Sequence, residues 1–185
     1  MTCIVGLKAR DGSVWVGGDS LGANYTGGCA QRSDAKVFSR GPYRFGYTSS
    51  FRMGQILRYD AILPPPPGGE ADLLRFMVCE FVPAVREALK SGAWAKTENG
   101  KEEGGFFVVG LPGALFCVQS DYQVEVPADG YCAVGSGEEV ALGALAATRS
   151  WRSPRRRVIE ALKAAERHNA FVRGPFVVEQ TGSLA

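Results

Sequence analysis

The order of strand-like and helical patterns along the chain limits the fold more than any other feature of the sequence. Strand-like segments at the start are followed by two helical patterns, a second set of strands, two more helical patterns and a closing strand. Helices that come in pairs beside antiparallel strands pack as layers on sheets. The sequence therefore predicts an α+β fold. We expect a single domain over residues 1–185, because this length supports one core but not two sizeable ones.

The strand predictions depend on turn residues and apolar runs. An Asp11-Gly12 turn separates a strand within residues 2–9 from a return strand over residues 14–20, which is the pattern of a β-hairpin. Polar loops are predicted at residues 24–28 and 91–105. Further strands are predicted at residues 36–38, 43–47, 105–109, 115–119, 124–133 and 176–179.

Helical spacing of apolar residues predicts helices over residues 51–60, 70–89, 138–148 and 154–168. Ser49 or Ser50 can cap the first, and Ser153 followed by Pro154 opens the last. Pro83 lies inside the second and predicts a kink or a break. The Ala-rich third helix is expected to be buried. The run of four prolines at residues 64–67 predicts a stiff, exposed connector.

Composition and charge limit the classes of partner. The formal net charge is only +2, so nothing global indicates nucleic acid or an anionic membrane. The basic run at residues 155–157 is interpreted as a solvated helix start. No apolar run approaches the roughly 18 residues of a membrane span, and no signal-peptide pattern is visible. We therefore predict a cytoplasmic protein.

The cysteines indicate neither a disulfide framework nor a metal site. Their number is odd, no two form a CxxC pair, and they are interpreted as buried thiols. They are Cys3, Cys29, Cys79, Cys117 and Cys132.

Five short motifs occur in an order that is typical of one family. They are Thr-Cys-Ile-Val-Gly at residues 2–6, Val-Gly-Gly-Asp-Ser at 16–20, Lys-Val at 36–37, Phe-Gly-Tyr-Thr-Ser at 45–49 and Val-Gly-Ser-Gly at 134–137. With these motifs the chain resembles the proteasome β subunits and the bacterial HslV peptidase. These are N-terminal-nucleophile hydrolases, and the resemblance implies a four-layer αββα sandwich.

The resemblance also implies catalytic roles. Thr2 would be the nucleophile once Met1 is removed, with its own α-amine as the base. Lys36 would stay protonated and lower the proton affinity of the hydroxyl and the amine. Asp19 would pair with Lys36 and preserve its charge. Ser136 would hydrogen-bond the terminal amine and help to relay protons.

A glycine-containing turn completes the expected site. By the same resemblance, its backbone N–H groups would bind the oxyanion and the substrate. The residues concerned are Gly46, Tyr47, Thr48 and Ser49. The family has Asp near the start of its last loop. Asn169 is the counterpart here and would support proton relay, although a shift of one residue would place His168 there. Val172 stands where the family has Ser.

These residues predict a threonine-type peptidase that uses no metal and no organic cofactor. We expect peptide or unfolded-protein substrates and a homo-oligomeric ring, with an ATP-driven unfoldase as a further partner. Cys3 is disfavoured as a thiol nucleophile because its side chain points to the opposite face of the strand from Thr2. Two alternatives stay open. One is a proteasome-like scaffold or binding protein with impaired catalysis, and the other is a small-molecule amidase that uses the same nucleophile.

Overall fold

The computed structural model describes residues 2–23, 28–68, 72–98 and 101–183. The predicted loop at residues 24–28 lies almost wholly outside the described residues, and so does Met1. The strands of the described part, in chain order, are β1 (Ile4–Lys8), β2 (Val14–Gly18), β3 (Leu21–Ala23), β4 (Cys29–Gln31), β5 (Val37–Arg40), β6 (Tyr43–Tyr47), β7 (Lys96–Glu98), β8 (Lys101–Glu103), β9 (Phe107–Leu111), β10 (Ala114–Val118), β11 (Val124–Glu125), β12 (Tyr131–Val134) and β13 (Val177–Gln180).

Two antiparallel sheets form the centre of the fold. The first has the strand order β12-β1-β2-β13, and the second has the order β11-β10-β9-β6-β5. The predicted Asp-Gly turn joins β1 to β2, with Gly12 at a φ of 79° and the Ala9 N–H donating to the Ser13 carbonyl at 2.8 Å. Each sheet therefore combines strands from distant parts of the sequence.

Four helical segments cover the outer faces of the sheets. Helix α1 (Phe51–Gln55) continues as a π-helical turn over Ile56–Asp60. Helix α2 (Leu73–Phe76), a π-helical turn over Met77–Phe81 and helix α3 (Val82–Ser91) form one continuous segment. Helices α4 (Glu138–Ala147) and α5 (Pro154–His168) complete the set.

Three apolar cores separate four layers. The first sheet packs on α4 and α5 through a core that includes Val5, Leu7 and Leu162. The second sheet packs on the helices between residues 51 and 91 through a larger, aromatic core. The inner faces of the two sheets enclose the third core, which includes Ile4 and Val108. The observed fold is therefore the predicted α+β fold, arranged as an αββα sandwich.

The two sheets approach each other closely at Gly46. A Cβ atom there would lie 2.4 Å from Cγ2 of Ile4 and 2.8 Å from Cγ1 of Val16. Any larger residue would force the layers apart, because neither branched side chain has room to move in a close-packed core. This glycine fixes the spacing of the sheets directly beside the expected site.

Several local predictions are wrong. The segment at residues 91–105 is not only a loop, because β7 and β8 form a hairpin within it. Of the kink or break predicted at Pro83, the break is absent: a π-helical turn precedes the proline, and the Val82 N–H donates to the carbonyl of Met77. The wider turn accommodates a residue that has no N–H and whose ring crowds the preceding turn. The structure also pairs β3 with β4, which the sequence did not predict.

Burial differs from the prediction in two places. Only Ala141 and Leu145 are buried on α4, and Leu142 is 36% exposed, so this helix covers the sheet with one face only. Cys29 and Cys79 are exposed rather than buried. Small and apolar residue types do not by themselves indicate burial, because much of the surface of a folded protein is apolar. None of the helices within the described ranges is long and apolar enough to span a bilayer.

Candidate active site

The register of β1 against β2 brings Thr2 and Asp19 to one end of the first sheet. Ile4 of β1 lies opposite Gly18 of β2. Thr2 lies two residues before Ile4, and Asp19 directly follows Gly18, so both leave their strands at the same end of the sandwich. The Asp19 N–H donates to the Cys3 carbonyl at 3.3 Å and extends this pairing beyond the ladder.

Asp19 and Lys36 form a buried ion pair. Lys36 directly precedes β5 of the second sheet, so the pair joins the two sheets. Its Nζ lies 2.8 Å from Oδ1 of Asp19, and the two side chains are 2% and 0% exposed. The same Oδ1 accepts the N–H of Cys3 at 3.0 Å, and Oδ2 accepts the N–H of Leu21 at 3.0 Å. Three donors therefore fix the Asp19 carboxylate in position.

Burial lowers the pKa of Lys36, and the adjacent Asp19 carboxylate opposes that shift. The two effects have opposite signs because desolvation disfavours the ammonium whereas a neighbouring negative charge favours it. A direct contact of 2.8 Å with a carboxylate is the arrangement that keeps a buried lysine charged. This lysine lines the same cleft as Thr2.

Ser136 contacts the backbone of Thr2 from the other side. Ile4 lies opposite Val134 of β12, and the chain turns back towards Thr2 two residues later. The Thr2 N–H donates to Oγ of Ser136 at 3.2 Å, and the Ser136 hydroxyl donates to the Thr2 carbonyl at 3.3 Å. The backbone nitrogen of Thr2 thus lies beside a hydroxyl group.

The turn that holds Ser136 requires a glycine at position 135. Gly135 has a φ of 102°, and a Cβ atom there would lie 2.4 Å from the Thr2 carbonyl oxygen. Both the positive φ and the close approach to backbone exclude other residues. The Gly-Ser-Gly motif therefore has a physical role in placing the serine.

In the segment expected to bind the oxyanion, one N–H group is available. Gly46 lies in the middle of the sheet, opposite both Val37 and Val108. The Tyr47 N–H donates to the Lys36 carbonyl, and the Thr48 N–H donates to the Phe106 carbonyl. The N–H groups of Tyr47 and Thr48 are therefore engaged, and Gly46 lies inside the sheet. Ser49, at a φ of 70°, is the member of the segment whose N–H has no acceptor among the described residues.

Ser49 and Ser50 make different hydrogen bonds at the start of α1. Ser50 is the cap, since its Oγ accepts the N–H groups of Arg52 and Met53. Ser49 instead accepts the Phe106 N–H on its own Oγ at 3.1 Å, which holds its strained backbone in place. The sequence left both serines open as caps, and the positive φ that separates their roles had no signal in the sequence.

Thr2 and Lys36 line the same small cleft. Its volume is about 120 Å³, and Tyr47, Thr48, Ser49 and Phe51 are also among its lining residues. Tyr47 is buried, and burial raises the pKa of its hydroxyl to about 12. The guanidinium of Arg32 lies 3.8 Å over the Phe51 ring and fixes that wall. Phe51 was not predicted as a site residue, because an aromatic residue at a helix start reads as core.

Asn169 contacts the Ser136 loop directly. Its Nδ2 donates to the Ser136 carbonyl at 2.6 Å, and its Oδ1 accepts the Phe171 N–H at 2.9 Å. The first bond needs an amide, because an ionised aspartate has no N–H to donate. Val172 is buried beneath the same loop, and a Cβ on Gly137 would lie 3.0 Å from it. The two departures from the family pattern are thus accommodated by contacts of their own.

Cys3 lies outside the cleft. Its side chain is fully buried in the core between the first sheet and the helices. Burial raises the pKa of its thiol to about 12, and the nearby Asp19 carboxylate acts in the same direction. A thiol in this setting is not an activated nucleophile. Within the described ranges, no group of three or more His, Cys, Asp or Glu side chains is placed to hold a metal ion.

Comparison with known proteins yields structural similarity only. No family model matches the chain, and no curated protein matches it. Among solved structures, BPH from Thiobacillus denitrificans superposes with a TM-score of 0.78 at 21% identity, over 99% of this chain and 98% of that one. BPH has also been solved in complex with epoxomicin.

Two further solved structures are similar over most of the chain. Eukaryotic HslV from Trypanosoma brucei gives a TM-score of 0.68 at 19% identity, over 96% of this chain and 98% of that one. Anbu, an ancestral β-subunit from Yersinia bercovieri, gives 0.65 at 14% identity, over 97% and 81%. The chain therefore has the fold of the proteasome-like N-terminal-nucleophile hydrolases.

Proposed function

We propose that the chain is a threonine-type hydrolase that cleaves peptide bonds with Thr2 as its nucleophile after removal of Met1. One observation carries this proposal. The nitrogen of Thr2 lies 3.2 Å from Oγ of Ser136, and Thr2 lines one cleft with a lysine that is buried and ion-paired to Asp19. Nucleophile, base and cation are the parts that this chemistry needs.

The first chemical step is attack by the threonine hydroxyl. The Thr2 Oγ1 adds to the substrate carbonyl carbon, and its proton passes to the free α-amine. An α-amine has a reference pKa of about 7.7–8.0, so an appreciable fraction is neutral near neutral pH. The positive charge of Lys36 lowers the proton affinity of both groups and stabilises the negative charge that develops on the oxygen.

The oxyanion of the tetrahedral intermediate needs a donor that is not already engaged. We assign this role to the Ser49 N–H, since it borders the cleft and has no acceptor in the described part of the chain. A single donor of this kind contributes about 10²–10³ in kcat in enzymes where it has been removed. The positive φ of Ser49 keeps that N–H out of the sheet ladder.

The leaving amine takes up the proton held by the α-amine, and an ester to Thr2 remains. A water molecule then adds to the ester carbonyl and gives a proton to the α-amine. The ester C–O bond breaks as the α-ammonium returns that proton to the Thr2 Oγ1, which restores the hydroxyl and releases the acid product. Ser136 contacts the nitrogen throughout and orients it. Asn169 holds the Ser136 carbonyl from behind and so acts as a positioning residue.

The surroundings of this activity are also proposals. We propose that residues 1–185 form one domain, that the chain assembles into a homo-oligomeric ring, and that it acts in the cytoplasm on peptides or unfolded proteins. An ATP-driven unfoldase is the partner that such a ring would use. The similarity to BPH, for which a complex with epoxomicin has been solved, and to HslV supports this assignment.

The test is hydrolysis of a series of N-acylated fluorogenic peptides by chain whose N-terminus is shown to be Thr2. Thr2→Ala is expected to reduce kcat/KM to the background, whereas Thr2→Ser should retain activity because a hydroxyl remains. The matched control is Cys3→Ala, which alters the next residue but leaves activity within a few-fold. Equal loss in both alanine variants would refute the assignment.

The same series separates the two alternatives. An impaired scaffold would hydrolyse none of the substrates although it begins at Thr2. A small-molecule amidase would cleave short amides and leave the longer peptides intact.

A further inference from the structure

A second cleft lies at the opposite end of β1 from Thr2. It forms where the β1–β2 turn meets the connection between α4 and α5, and its volume is about 380 Å³. Five of its lining residues carry a positive charge: Lys8, Arg10, Arg149, Arg152 and Arg157. We call this the basic cleft. It is separated from the candidate active site by the length of the strand.

Little negative charge balances these cations. The acidic side chain that lines the basic cleft is Asp11, and its Oδ1 already accepts the Ser13 N–H at 3.0 Å and the Ser13 hydroxyl at 2.6 Å. Arg149 has a long, exposed contact of 3.9 Å with Asp129. Exposed pairs of this kind neutralise charge poorly. The chain as a whole is nearly neutral, so the positive charge here is local.

Arg157 lines the cleft, and the hydrogen-bonding capacity of its guanidinium is incompletely satisfied. Its Nη2 donates to the Leu145 carbonyl at 2.9 Å, but its buried Nε has no hydrogen-bond partner in the described part of the chain. Burial lowers the pKa of this guanidinium, and the positive charge of Arg149 acts in the same direction. Buried donors are nearly always paired, so an unpaired one beside a cavity indicates a missing acceptor. An anion in the cleft would supply it.

Trp151 lines the same cleft and is 38% exposed. The guanidinium of Arg156 lies 4.9 Å from the centre of its ring and extends the positive surface at the rim. A partly exposed indole next to a bound anion also reports binding through its fluorescence. The fluorescence of Trp151 can therefore be used to measure binding in the cleft.

We propose that the basic cleft binds a small polyvalent phosphate anion, either inorganic polyphosphate or the phosphate chain of a nucleotide. Guanidinium groups match the geometry of phosphate oxygens and form charge-assisted hydrogen bonds with them. The volume lies within the range of small-molecule sites. A concave cleft that is lined by an arginine with an unpaired buried donor suits a compact ligand better than the backbone of a nucleic acid, which runs over a surface. This site is independent of the proposed hydrolase function.

The test is titration of the full chain with sodium tripolyphosphate at constant ionic strength, followed by Trp fluorescence and by calorimetry. Constant ionic strength is needed because screening changes the affinity of any anion for a basic surface. Wild type is expected to bind one tripolyphosphate per chain, with a fluorescence change that Trp151→Phe removes while the heat of binding remains.

Matched charge variants separate a built site from general attraction. The double variant Arg149→Gln with Arg152→Gln removes two exposed cations of the cleft and is expected to weaken binding by about tenfold or more, since hydrogen bonds to charged groups are strong. The control, Arg75→Gln with Arg167→Gln, removes two exposed arginines elsewhere and should change the Kd less than twofold. Equal weakening in both double variants, or no binding to wild type, would overturn the proposal.

Arg157 and the ligand class are tested separately. Arg157→Lys keeps the charge but loses the fork of donors, and binding should weaken while thermal unfolding confirms the fold. ATP and tripolyphosphate should compete, and tighter binding of ATP would identify a nucleotide as the ligand. A single-stranded oligonucleotide that binds more tightly than both, with sensitivity to the Arg75 and Arg167 control as well, would show a nucleic-acid surface and refute the small-anion site.

Discussion

Replacing Asp19 with Asn tests the ion pair on which the candidate site depends. The substitution preserves shape and removes the charge that faces Lys36, whose ammonium is 2.8 Å away and almost fully buried. It also replaces one of two carboxylate oxygens with an NH₂ group. The NH₂ group only donates, so the carboxamide cannot accept the N–H groups of Cys3 and Leu21 on two separate oxygens as the carboxylate does.

The expected loss is large because the partner charge stays buried. Removing one partner of a buried ion pair costs about 3–5 kcal/mol in the free energy of unfolding. An exposed pair would cost about 1 kcal/mol or less. We therefore expect Asp19→Asn to lower the free energy of unfolding by about 3–5 kcal/mol near neutral pH. The exposed pair of Arg86 with Glu102 offers a matched control, and Glu102→Gln should cost little.

The loss should depend on pH with a defined sign. Burial holds the pKa of Lys36 below its ordinary value of 10.5 in the folded state, and removing Asp19 lowers it further. Between the folded pKa and 10.5 the unfolded state binds more protons, so stability rises with pH across this window. The pH window is wider in Asp19→Asn, because the folded-state pKa of Lys36 is lower there. Its deficit relative to wild type should therefore be greatest near neutral pH and shrink as the pH approaches 10.5.

Urea unfolding of a double-mutant cycle provides the measurement. The cycle combines Asp19→Asn with Lys36→Met, and the difference between the double variant and the sum of the single ones isolates the pair from the lost N–H bonds. We expect the double variant to be more stable than Asp19→Asn alone. A coupling energy near zero, or a deficit that does not change with pH, would refute the view that Asp19 preserves the charge of Lys36.

Three further predictions concern backbone geometry, thiol reactivity and the last loop. Gly135→Ala should lower the free energy of unfolding by about 1–3 kcal/mol or more, because the residue has a positive φ. Gly143→Ala, in an open helical position, should raise the free energy of unfolding by about 0.5–1 kcal/mol. Urea unfolding of both variants checks this. Iodoacetamide at mildly alkaline pH should alkylate exposed Cys29 and spare Cys3, whose thiol pKa of about 12 keeps it protonated; mass spectrometry of peptides reports both, and equal labelling would contradict the placement. Asn169→Asp should lower kcat several-fold with little change in KM, because the donor to the neighbouring loop is lost; unchanged kcat would show that this bond is dispensable.

The sequence predicted the layers of the fold because the signals for them are local. The Asp11-Gly12 turn specifies its hairpin, and Ser153 with Pro154 specifies the start of α5, where the Ser153 hydroxyl accepts the Arg156 N–H as expected. The pairing of β12 with β1 joins residues more than 120 positions apart, and only the family resemblance indicated that the motifs at their ends meet.

The predictions failed where tertiary contacts decide the outcome. The hairpin of β7 and β8 is built from charged residues that read as a polar loop. A π-helical turn before Pro83 keeps its helix continuous, and no pattern of residue types marks such a turn. The Ala-rich α4 is exposed on one side because nothing in the described chain packs there.

The candidate site also has features that the sequence predicted and features that only the folded structure determines. The family resemblance predicted roles for the residues at positions 2, 19, 36 and 136, and the structure brings these residues together at one end of the sandwich. The oxyanion segment could only be predicted as four residues. Which N–H remains free depends on ladder bonds made by Tyr47 and Thr48 and on the positive φ of Ser49. These are properties of the folded backbone, and residue types alone do not specify them.

The central claim is that Thr2 is an N-terminal nucleophile, and intact mass spectrometry tests it most directly. The purified chain is weighed before and after incubation with a peptide epoxyketone such as epoxomicin, and the modified position is mapped by fragmentation. The account predicts a chain that lacks one methionine residue and takes up a single adduct on Thr2, with none in Thr2→Ala. A chain that begins at Thr2 and takes up no adduct, or takes it up at another residue, would contradict the claim.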